Sequence, residues 1–165
     1  MPGGHLATSI ALSGVAYYAS RSLELAAGCF AGGFLIDFDH YLDYLVFEKQ
    51  WRNPAPSRFL SYYFNFQCRR VVLPLHSMEL MAALTILAVF WPNLFLIGYL
   101  VGAAMHLALD VLVNGEYALK HAVLFYLFAY RTANGFSAQR LINFKPRTSS
   151  TKPFKDFFTW KHKLK

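Results

Sequence analysis

Charge is scarce in this chain: Asp, Glu, Lys and Arg make up 15% of the 165 residues, against 56% hydrophobic ones. Soluble domains carry about 25% charged and about 45–50% apolar residues, so the balance points towards lipid contact. The mean hydropathy of +0.31 leans the same way. Cysteine is nearly absent too. Cys29 and Cys68 show no CxxC spacing and read as reduced thiols, not as a disulfide framework. No Lys or Arg precedes the apolar run 6–19, so the basic start of a secretory signal is missing and the run is expected to stay as a helix. Also absent are GxSxG, a P-loop and a Cys–His pair, which leaves no ready protein nucleophile. The length suits one domain with one site.

Acidic residues are scarcest where basic ones gather. The net charge is +7, and Lys145, Arg147, Lys152, Lys155, Lys161, Lys163 and Lys165 are opposed in the last stretch only by Asp156. Interleaved with Phe154, Phe157, Phe158 and Trp160, they suit an anionic membrane surface, where each charge contributes about 1 kcal/mol and rings sit at headgroup depth. The alternative is a solvated tail that binds nothing or recruits a protein partner. Nucleic acid is not expected, because the rest of the chain is too apolar for a DNA-binding module.

Apolar periodicity predicts helices over 6–20, 23–36, 78–91 and 94–113, with a weaker fifth over 117–130. Between the second and third, 48–75 reads as a basic-aromatic loop containing Pro54, Pro56, Pro74, Arg52, Arg58, Arg69 and Arg70. The expected fold is therefore all-α, a membrane-embedded antiparallel bundle of four to five helices. Its helical domain covers 1–131 and a basic-aromatic tail covers 132–165. Trp91-Pro92-Asn93 could kink one long span or turn a hairpin. The hairpin is preferred, because Pro and Asn form turns and each arm then ends in polar residues. Two GxxxG patterns, Gly28/Gly32 and Gly98/Gly102, let membrane helices approach closely.

With that hairpin, the ionisable residues of the apolar region collect at one end of the bundle. Asp37-Phe38-Asp39-His40 follows the second helix directly, with Asp37/His40 and Asp39/Asp43 spaced as helical neighbours. These groups could merely cap the helix at the interface. His106 and Asp110 share a helix face otherwise lined by Met105, Leu107, Ala108 and Leu109. A lone His there would be a core residue, but a carboxylate one turn away makes the pair a candidate for a divalent metal. His76 precedes Ser77 at a helix start, where either could be a simple cap, and His5 follows a flexible Met-Pro-Gly-Gly. The metal set is thus His5, Asp37, Asp39, His40, His76, His106 and Asp110, with Asp37 or Asp39 as the base that orients a water. Mixed imidazole and carboxylate donors suit Zn²⁺ first, with Mn²⁺ or Fe²⁺ as alternatives. Seven candidates exceed one tetrahedral shell, which implies a second metal or carboxylates that hold the ligating histidines. His121 and His162 have no partner at useful spacing.

These residues, from His5 to about Gly115, resemble the membrane-bound metal-dependent hydrolases, the YdjM-like family described as LexA-binding, inner-membrane-associated hydrolases. The resemblance is carried by His5, by Asp37-Phe38-Asp39-His40 after a Gly-rich apolar helix, by Leu75-His76-Ser77, and by His106-x-x-x-Asp110 before Asn114-Gly115. Where that family has a His-Arg-Gly-like stretch ahead of its His-Ser pair, this chain has Arg69-Arg70-Val71-Val72-Leu73-Pro74. The resemblance implies a divalent metal, hydrolysis of a phosphoester or other ester, and a place in a bacterial inner (cytoplasmic) membrane. The basic loop then puts the site on the cytoplasmic side. Two other classes stay open: a membrane adaptor with a structural metal, and a transporter, which would need its polar groups near mid-membrane.

Overall fold

A computed structural model describes residues 2–143. Among them the regular structure is helical, with two isolated antiparallel bridges, Arg70 with Ser137 and Leu119 with Ile142, and no strand. The basic and aromatic residues of the tail, Lys145 to Lys165, and His162 lie outside the described residues.

Helix α1 (Pro2–Ser20) and helix α2 (Leu23–Gly33) are separated by Arg21, whose φ of 55° puts it in the left-handed region and reverses the chain. Ser22 then caps α2, its hydroxyl accepting from Leu25 N at 3.2 Å. The second helix is shorter than the expected 23–36. It breaks at Phe34, turns through a 3₁₀ segment at Leu35–Asp37, and resumes as α3 (Phe38–Leu42) followed by one π turn, Asp43–Phe47. That break lets Asp37 and Asp39 face different partners. In the basic-aromatic loop a short helix, α4 (Pro56–Phe64), starts with Pro56 where a missing N–H costs nothing.

The hairpin is present. Helix α5 (Met78–Phe90) opens on Ser77, whose Oγ accepts from Leu80 N at 3.0 Å, and helix α6 (Leu94–Leu109) opens on Asn93, whose Oδ1 accepts from Leu96 N at 3.0 Å. A π turn, Asp110–Asn114, continues α6. The expected fifth helix is instead three short ones, α7 (Gly115–Ala118), α8 (Ala122–Phe125) and α9 (Phe128–Ala133), before α10 (Ala138–Leu141). Long-range caps override a single helix there. Glu79 accepts from Phe128 N and Ala129 N at 2.8 and 2.9 Å, and Tyr126 O accepts from Met78 N at 2.8 Å.

Helices α2 and α6 lie backbone to backbone, with α1 against α2. The four glycines explain the approach: a Cβ on Gly28 or Gly32 would overlap the carbonyl of Phe95 or Tyr99, and one on Gly98 or Gly102 that of Leu25 or Cys29. Helix α5, by contrast, has no fully buried residue, and Met81 packs half-buried against the apolar cluster described below. Leu94–Val113 is long and apolar enough to cross a membrane, while Leu23–Gly33 and Met78–Phe90 are apolar but shorter. Beneath this helical layer, loop residues Val71 and Leu73, Leu107 from α6, and Phe125, Ala138 and Leu141 form the buried apolar cluster. Packing therefore continues past residue 131.

Candidate metal centre

The polar groups meet where the helical layer joins that cluster. His76 and His106 are both fully buried, and their Nε2 atoms lie 3.2 Å apart. The other ring nitrogen of each has a fixed acceptor: His76 Nδ1 lies 3.0 Å from Asp39 Oδ2, and His106 Nδ1 donates to the Gly33 carbonyl at 2.8 Å. A carbonyl only accepts and a buried carboxylate beside an imidazole does the same, so the protons belong on Nδ1. In the neutral rings two Nε2 lone pairs then face each other, a repulsion relieved by a proton on one of them or by a metal cation between them.

Carboxylates complete the cage. Asp37 Oδ1 lies 3.4 Å from His106 Nε2 and 3.6 Å from His76 Nε2. Asp110 Oδ2 lies 3.5 and 3.9 Å from the same two atoms. Tetrahedral bonds of about 2.0–2.1 Å require ligand atoms about 3.3–3.4 Å apart, so the distances from each carboxylate oxygen to the two imidazoles are close to those of ligands sharing an ion. Three overlapping groups have ligand geometry: His5/His106/Asp110, Asp37/His76/His106 and Asp39/His40/His76.

Electrostatics agree with the geometry. Burial alone would drive His76 down, but Asp39 and Asp37 beside it raise it to about 10, so the site demands positive charge. Burial pushes Asp37 upward, and its hydrogen bonds to His106 and His76 outweigh that and hold it well below the usual carboxylate range. Burial and the neighbouring His76 lower His40, against the opposing pull of Asp39, Asp37 and Asp110.

The remaining candidates divide by position. His5 is buried, its ring stacks on that of His106 at 4.0 Å, and its Nε2 lies 3.1 Å from Asp110 Oδ1, so Asp110 faces His5 with one oxygen and His106 and His76 with the other. His40 sits further out, with Nε2 3.8 Å from Asp37 Oδ1 and its ring between His76 and Tyr63. Asp39 addresses the far side of the His76 ring, and its Oδ2 also accepts from Leu75 N and His76 N at 3.0 and 3.3 Å. It holds the ligand and does not face the centre. The four seam glycines line neither cavity at the site; they bring α2 and α6 together above it. His121 is exposed, against Tyr130, away from the centre.

Residues without a metal-like spacing do much of the positioning. Glu48 accepts from Arg69 N and Arg70 N, Asp43 from Val72 N at 2.6 Å and Leu73 N at 3.2 Å, and Asp39 from the next two amides. Three carboxylates thus fasten the 69–76 loop along one side. Arg131, fully buried, fastens it from the other, donating to Leu73 O at 3.0 Å and His76 O at 3.3 Å beneath the rings of Phe125 and Phe128. No spacing rule announces Arg131. Its signal is a cation directly after the apolar-aromatic stretch 122–130, with no acid nearby in sequence.

Searches against protein-family models, curated proteins and solved structures find no match for this chain.

Proposed function

We propose that the chain is a membrane-embedded, metal-dependent hydrolase, as the resemblance to the YdjM-like hydrolases implies. The observation that carries the reading is the opposed pair of Nε2 atoms, 3.2 Å apart with both Nδ1 positions already engaged. His76, His106, Asp37 and Asp110 would hold a divalent ion, Zn²⁺ first by donor type, with Mn²⁺ or Fe²⁺ as alternatives. Such an ion lowers the pKa of a bound water towards 7 and supplies the nucleophile absent from the side chains. Asp37, half-open to the cavity at 26% side-chain exposure, would orient such a water and take its proton through the carboxylate oxygen that does not hold the ion. His40 is within reach to pass the proton outward. Asp39 and Gly33 O fix the rings, which is the usual arrangement behind metal-bound histidines.

Membrane embedding is supported by the candidate span Leu94–Val113 and by exposed apolar residues across the helical layer, including Val15, Tyr18, Val89 and Phe90 at 66–83% exposure. Helices α1, α2, α5 and α6 would lie in the bilayer of a bacterial inner membrane. The basic loop with Arg52, Arg58, Arg69 and Arg70 would put the site on the cytoplasmic side, with the basic tail on anionic lipid. Labelling of a Cys placed at 58 from outside intact cells would contradict that orientation.

A second reading, a structural metal in a non-catalytic adaptor, is favoured by the count of four protein donors, which can close a tetrahedral shell. Cobalt substitution separates the two. An open site gives a visible spectrum that responds to added azide and to pH, whereas a closed one gives a spectrum indifferent to both.

A further inference from the structure

We propose that the substrate is an ester carried on a hydrocarbon chain, and that the chain lies in the groove between residues 34–41 and α4. This deepens the hydrolytic reading and rests on it. Two cavities meet at the centre. One, of about 120 Å³, is lined by His5, Asp37, His76 and Asp110 among others. The other, of about 370 Å³, is walled by Phe34, Leu35, Phe38, Tyr41, Pro56 and Leu60. Asp37, His40, Phe59 and Tyr63 border both, so the large groove ends at the candidate metal ligands.

Its polarity runs in one direction. Asp37 and His40 are the charged or imidazole groups on its wall, and both stand at the inner end. The Tyr41 hydroxyl is engaged by the Pro54 carbonyl at 2.5 Å. At the mouth, Leu35 and Phe38 are 51% and 54% exposed, directly after α2, one of the helices placed in lipid above. A wholly polar substrate would lose its hydration along this wall and find no partners there. A chain gains about 0.8 kcal/mol for each methylene it buries, while its ester head reaches the polar end. An occupant apolar along its length and polar at one tip fits these walls, and such molecules are supplied by the bilayer facing the mouth.

The test uses the full chain in nanodiscs with its metal content measured in each sample. The probe is a long-chain alkyl phosphonate bearing a diazirine on the chain, which cannot be hydrolysed. Cross-links mapped by mass spectrometry are expected at Phe34, Leu35, Phe38 and Leu60. Leu60→Trp, which fills the groove, should cut labelling about tenfold, equivalent to losing about two buried methylenes, with metal content unchanged. Should Leu60→Trp misfold, competition replaces it: an unlabelled long-chain phosphonate should suppress labelling, and methylphosphonate should not. Cross-links spread evenly over Val15 and Val89, or competition by the chainless compound, would overturn the proposal. Absence of metal from a well-folded, groove-labelled protein would defeat the hydrolytic reading and leave the groove assignment standing, so the two failures are distinguishable.

Discussion

Replacing Asp39 by Asn separates holding a ligand from being one. The carboxylate is completely buried, and one oxygen, Oδ2, accepts from two backbone amides and from His76 Nδ1, while Oδ1 has no hydrogen-bond partner. Asparagine keeps the volume, and its oxygen can still accept those three protons. The negative charge that fixes the Nδ1 proton and strengthens the Nε2 donor is lost. The new amide nitrogen occupies the partnerless Oδ1 position, at a cost of about 1–3 kcal/mol for an unsatisfied buried donor. Removing such a partner typically weakens metal binding 10- to 100-fold, about 1.4–2.7 kcal/mol. Chelator competition on the detergent-purified protein measures this directly, with His76→Ala as the reference for complete loss and thermal unfolding as the check on fold. Wild-type affinity in Asp39→Asn would refute the holding role. So would complete loss with an unchanged melting temperature, which would make Asp39 a ligand.

Arg131→Met should strand the carbonyls of Leu73 and His76, costing about 2–5 kcal/mol of stability in thermal unfolding; an unchanged melting temperature would contradict the two-sided fastening of the loop. Gly32→Ala should separate α2 from α6 and cost about 1–3 kcal/mol. Gly14→Ala, with open space around it, should be neutral or stabilising by up to about 1 kcal/mol. Asp43 is raised from 3.8 to about 6 because burial outweighs the amides of Val72 and Leu73. The folded state therefore binds this proton more tightly than the unfolded chain, and the contribution is full below the ordinary 3.8 and lost as pH rises through about 6. Asp43→Asn should remove that decline, so the stability difference between wild type and variant should change across this window and be flat outside it.

Much of this arrangement could be read from residue spacing. The Pro92-Asn93 turn, the helical pair His106/Asp110 and the paired GxxxG patterns follow from local rules, and together they bring His76 to His106. The division of labour among the acids could not be read. Asp37 and Asp39 are two residues apart and chemically alike, and the break at Phe34 decides that one faces the centre and the other the loop. The fastening roles of Asp43 and Glu48 left no local signal, because the amides they bind are about 20 to 30 positions away. The three-piece path of 115–133 was hidden for a related reason: its apolar residues have helical spacing, but Glu79, far back in the chain, supplies the cap that ends the run.

The central claim, that one cation is shared by His76, His106, Asp37 and Asp110, is tested most directly by elemental analysis of the purified full chain and its alanine variants. The wild type and His121→Ala should carry a stoichiometric divalent ion, whereas His76→Ala, His106→Ala, Asp37→Ala and Asp110→Ala should lose it. Equal metal content in all six proteins, or none in a folded wild type supplied with Zn²⁺, Mn²⁺ and Fe²⁺, would contradict it.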